Sequence, residues 1–116
     1  MGVFEIAVTG CENDVAVLRV LRSFSRESVG LLRSKLRSAV PVLSFSTDDL
    51  VSALDPEETV VHQSHRFFEA CTQLANAGAV VALTYAPTSE DRRESTTLEL
   101  ARNLFQSELD SLQEHD

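Results

Sequence analysis

The stretch that most constrains this chain runs from Asn13 to Pro41, where two amphipathic segments at helical spacing follow each other directly. In residues 15–24, Val17, Val20, Leu21 and Phe24 form one stripe, and Arg19 and Arg22, continued by Arg26 just beyond, form another on the opposite side. In residues 26–40 the apolar stripe continues through Val29, Leu32, Leu36 and Ala39 or Val40, with Arg33 and Arg37 one turn apart on the outside. Ser25 reads as a cap between the segments, so two helices meeting at residues 23–25 are expected rather than one rod. Pro41 cannot continue a helix and biases Val40 toward an extended conformation, which places a strand over residues 42–46. Six of the ten basic side chains, Arg19, Arg22, Arg26, Arg33, Lys35 and Arg37, lie along residues 15–40 against one acid, Glu27. That segment carries +5, and the remainder must carry −13 to reach the net −8.

The flanking sequence supplies the sheet. Residues 3–9 alternate, with Phe4, Ile6 and Val8 on one side, and Gly10 is read as the strand's end. Asn13 or Asp14 can cap the following helix. Residues 47–54 read as a helical turn or loop. Asp55-Pro56-Glu57-Glu58 then combines a capping Asp, a first-turn Pro and a Glu three residues after the cap, opening a long helix that Gly78 terminates. Residues 79–85 are a third strand, apolar on both faces, which predicts a sheet covered on both sides. Residues 86–95 show no hydrophobic periodicity and read as a solvated linker. Thr96 and Glu99 open a final helix whose Leu98, Ala101, Leu104, Phe105, Leu109 and Leu112 make one apolar stripe. Three burials suit it: back over the sheet, over the sheet of a second copy, or against its own twin in a homodimer. The predicted fold is α+β, β-α-α-β-α-β, with a three-stranded, mostly antiparallel sheet backed by helices. It divides into a domain at residues 1–85, a linker at 86–95 and an amphipathic helix at 96–116.

This order of elements resembles the C-terminal domain of the bacterial large-subunit ribosomal stalk protein. Val17-Leu18-Arg19-Val20-Leu21-Arg22 is similar to that family's first helix, and residues 74–83 resemble its last helix running through Gly-Ala into the last strand. Pro41 closes the second helix where that family has a proline. The resemblance covers residues 3–85, interrupted by extra sequence around residues 47–61. It implies contact with translational GTPase factors through Arg19 and Arg22, with Arg33 and Lys35 matching after a one-residue slip. The chain departs from the family in lacking its N-terminal dimerisation segment and Ala- and Gly-rich hinge, and in adding a final helix, so a working stalk subunit is not expected. The same fold occurs in the substrate adaptor of the Clp protease, whose acidic amide-binding pair Asn13-Asp14 resembles.

No catalytic signature appears: Gly10 stands alone, and neither a phosphate-cradling loop nor a nucleophile elbow is present. Neither an enzyme nor a cofactor is expected. His62 and His65, with Glu58 and Glu69 nearby at helical spacing, are better read as solvated side chains than as metal ligands. Cys11 precedes a helix N-terminus, where a thiol's pKa can fall, but Glu12 and Asp14 oppose that; Cys71 lies on an apolar stripe and reads as core. The two cysteines, without CxxC spacing, and the want of a signal-like or membrane-spanning run give a cytoplasmic expectation. The basic stripe suits an acidic surface on a protein partner, since −13 elsewhere repels a polyanion and disfavours nucleic acid. Assembly through the C-terminal helix, as in an acidic antitoxin or immunity protein, is the alternative of another class.

Overall fold

The alternating N-terminal run forms β1 (Val3–Cys11), which sits inside the sheet between β2 (Pro41–Ser46) and β3 (Ala79–Ala86). The computed structural model describes residues 2–47, 55–87 and 92–114. A short fourth strand, β4 (Glu94–Thr96), pairs with the outer side of β3, and every pairing is antiparallel. The helices among the described residues are α1 (Asp14–Phe24), α2 (Val29–Ser38), α3 (Pro56–Asn76) and α4 (Leu98–Glu114).

Register places like residues side by side. Phe4 faces Phe45 on β2 and Tyr85 on β3, and Ile6 faces Leu43 and Leu83, so apolar rows cross three strands on one face. Helices pack on that face: Val17 and Leu21 of α1, Leu32 of α2, Phe67 and Leu74 of α3, and Ala101 and Phe105 of α4 are buried in one core with it. Each fully buried large side chain of that kind contributes about 1.5–3 kcal/mol.

The fold is therefore α+β with a four-stranded antiparallel sheet rather than three strands. Within the stretch read as a linker, and on through Thr96, β4 pairs Thr96, Ser95 and Glu94 with Leu83, Thr84 and Tyr85. A three-residue polar edge strand carries too little alternation to be seen in sequence. Residues 88–91 of that stretch, and 48–54 of the turn or loop expected after β2, lie outside the described residues. The expectation of a doubly covered sheet holds only in part. The face opposite the core carries Glu5, Ala7, Ser44, Ala82 and Thr84, with Val80 63% exposed. Val3 and Ala86, which pair on that same face, are buried, and Arg93 pairs with Glu5 there. Ala82 and Val80 make β3 apolar on both sides, yet Val80 stays in water, since an antiparallel sheet tolerates a partly wet face.

Local signals explain most boundaries. Asp55 and Glu58 form the reciprocal capping box, Glu58 N–H donating to Asp55 Oδ1 at 2.8 Å, and α3 stops before Gly78, whose φ is +84°. Three details differ from expectation. The strand does not end at Gly10 but continues to Cys11 through a bulge between Val8 and Gly10. Ser25 is the C-cap of α1, while Ser28 caps α2 by accepting from Leu31 N–H. Thr97 rather than Thr96 caps α4, its hydroxyl accepting from Leu100 N–H at 3.2 Å.

The C-terminal helix docks on its own chain. Phe105 stacks on Phe4, Ala101 is fully buried, and Leu104, Leu109 and Leu112 pack partly buried against the same core. Residues 98–112 thus share one core with the β-α-α-β-α-β portion. Among the described residues no helix is long and apolar enough to cross a membrane.

Candidate functional site

Helix α1 begins where Asn13 accepts a hydrogen bond from Ala16 N–H at 3.1 Å, and it is oriented by burying Val17, Leu18 and Leu21. That fixes Arg19 and Arg22 on its exposed side. Helix α2 buries only Leu32 completely, so it lies against α1 as an outer wall and leaves Arg33 and Arg37 exposed. Between the two helices runs a groove of about 340 Å³ lined by Val15, Leu18, Arg19, Arg22, Val29 and Arg33.

The six basic residues singled out in the sequence separate into groups. Arg19, Arg22 and Arg33 come together around this groove. Lys35 does not join them: its Nζ lies 2.7 Å from Glu27 Oε1, and with Arg26 it lines a separate cavity beside β2 that also includes Glu5, Pro41 and Ser44. Arg37 is exposed and lines neither. Among the described residues no ion pair engages Arg19, Arg22, Arg26, Arg33 or Arg37. The guanidinium groups at the groove are therefore available to donate paired hydrogen bonds to carboxylates or other oxyanions.

The groove also has an apolar floor of Val15, Leu18 and Val29, of which only Val29 stands in the apolar stripes read from the sequence. Val15, at 62% exposed, falls outside the α1 core stripe, and Val29 is half-buried. The available signal was spacing: Val15 precedes Arg19, Leu18 precedes Arg22, and Val29 precedes Arg33, each by one helical turn.

The other candidates are placed differently. Asn13 is occupied as the α1 cap, and Asp14 Oδ1 accepts from the Cys11 thiol at 3.0 Å. That hydrogen bond, with partial desolvation and the Asp14 charge, raises the Cys11 pKa above its ordinary value, so the thiol is not activated by the helix terminus. Burial pushes the Cys71 thiol up to about 12. His62 and His65 are exposed on α3, and among the described residues no three His, Cys, Asp or Glu side chains gather as a metal site. On α4, Ala101 and Phe105 are consumed by the core of the same chain, whereas Leu98 is 48% exposed beside Leu100 at 53%.

No known protein family, curated protein or solved structure matches this chain.

Proposed function

We propose that the chain is a non-catalytic protein-binding module that docks an acidic partner on the α1–α2 groove. The observation that carries this is the convergence of Arg19, Arg22 and Arg33 on one apolar-floored groove with no ion pair to them among the described residues. In a chain of net charge −8, a cationic groove of this kind is a local inversion of sign. It speeds encounter with an acidic surface and orients it on arrival. A protein suits the groove better than a nucleic acid. All six Phe and the single Tyr stack within one internal ring network, leaving none on the groove rim to stack a base.

The role resembles factor recruitment by the ribosomal stalk domain, with Arg19 and Arg22 as the shared positions, and it implies a cytoplasmic setting. Affinity capture from native lysate tests it, using the wild-type chain, an Arg19→Glu/Arg22→Glu variant and an Arg37→Glu control. The wild type and the control retain the same acidic protein, and the double variant loses it by roughly tenfold or more. Equal capture by all three contradicts the proposal.

A second reading, homodimer assembly through α4, draws on the exposure of Leu98 and Leu100 near the start of that helix. Sedimentation of the wild type and a Leu98→Ser/Leu100→Ser variant separates the two: a dimer lost in the variant supports assembly.

A further inference from the structure

We infer that the occupant of the α1–α2 groove is a linear acidic segment anchored by one aliphatic side chain, rather than a flat acidic surface. This rests on the protein-binding role proposed above and specifies the chemistry of the partner. Two features of the groove demand it together. The first is charge: Arg19, Arg22 and Arg33 line the groove, and among the described residues none of the three makes an ion pair. The second is an apolar floor, in which Val15 is 62% exposed and Val29 half-buried, while Leu18 beside them is buried in the core.

The two features are interleaved. Each apolar lining residue stands one turn before an arginine on the same helix, in the pairs Val15–Arg19, Leu18–Arg22 and Val29–Arg33. One turn spaces such side chains by about 5–6 Å. A ligand that seats an aliphatic side chain on the floor therefore meets guanidinium groups with carboxylates about that far from its anchor. In an extended segment that is two residues away, and in a helical one three or four. A flat acidic patch satisfies the arginines but leaves the valines wet. A single-stranded nucleic acid brings phosphates but no aliphatic anchor.

The test uses fluorescence anisotropy with two labelled peptides of alternating Glu and Ser. One carries a single central Leu and the other has Ser in its place. An oligothymidylate serves as competitor. The Leu peptide binds the wild type about tenfold tighter than its Ser counterpart, as burial of one aliphatic side chain predicts. That advantage survives high salt, because apolar contact is not screened, while both peptides weaken together. Val15→Ser, and Val15→Thr as a near-isosteric second variant, abolish the advantage without abolishing binding, whereas Arg33→Gln weakens both peptides. Equal binding of the two peptides to the wild type, or no binding of either, overturns the inference, as does displacement of both by oligothymidylate. Equal peptide affinities alongside loss of captured partner in Arg19→Glu/Arg22→Glu leave the protein-binding role standing and remove only the anchor.

Discussion

Phe105 of α4 stacks on Phe4 of β1 with ring centroids 3.8 Å apart and planes 13° from parallel. The contact joins the last helix to the first strand, and Phe67 stands 5.5 Å from Phe4 and 5.7 Å from Phe105 to complete the cluster. Phe105 is 3% exposed, so its removal leaves a cavity rather than a wet surface. Phe105→Ala is expected to cost about 3–5 kcal/mol, read as a lower urea midpoint at unchanged slope. A loss below about 1 kcal/mol would mean that α4 is not part of the core.

Backbone conformation gives a second prediction, at the ends of α2 and α3. Ala39 caps α2 with φ +54°, and Gly78 follows α3 with φ +84°. A left-handed conformation costs an L-residue roughly 1–2 kcal/mol that glycine avoids. Ala39→Gly should therefore raise stability by about 1 kcal/mol, and Gly78→Ala should lower it by a similar amount. Thermal melts of the two variants should move in opposite directions.

The buried thiol sets an alkaline dependence. Burial raises Cys71 from 9.0 to about 12, so the unfolded chain releases this proton at lower pH than the folded one. The stabilisation is whole below pH 9.0 and is lost as pH rises through the window up to about 12. Cys71→Ala should be less stable at neutral pH, because it removes buried sulfur, and its stability should fall less steeply between those limits. Denaturant midpoints along an alkaline series provide the check, and parallel curves for the two proteins would contradict it.

Asn13 separates a structural cap from a ligand-binding amide. Its side chain accepts from Ala16 N–H at 3.1 Å. Asn13→Ala should cost about 1 kcal/mol, and Asn13→Ser, which keeps a capping oxygen, only a few tenths. An adaptor that read peptide N-termini through Asn13 and Asp14 would lose its ligand in both variants. Isothermal titration with a peptide bearing a bulky N-terminal residue distinguishes these cases.

Much of this architecture was legible because its signals are local. The period-2 run around Ile6, the box from Asp55 to Glu58 and the stop at Gly78 each depend on a few neighbouring residues. Legibility failed where partners are distant. Glu94, Ser95 and Thr96 become a strand only because β3 offers an edge. Val80 and Ala82 look buried in sequence, yet which face a sheet covers depends on where the helices land. At the groove, helical phase placed the arginines outward correctly, but the separation of Lys35 from Arg33 depends on Glu27, eight residues back across the α1–α2 turn. The exposed position of Val15 was hidden for the same reason, since an apolar residue beside a core stripe is ordinarily assigned to it.

The most direct test of the groove as the docking surface is a backbone amide titration by NMR, with the Leu-containing acidic peptide added to the isotopically labelled chain. The largest shifts should fall on residues 15–22 of α1 and 29–33 of α2, and should vanish in Arg19→Glu/Arg22→Glu. Shifts centred on α4 or around Arg26 and Lys35, or a response that survives the double charge reversal, would contradict it.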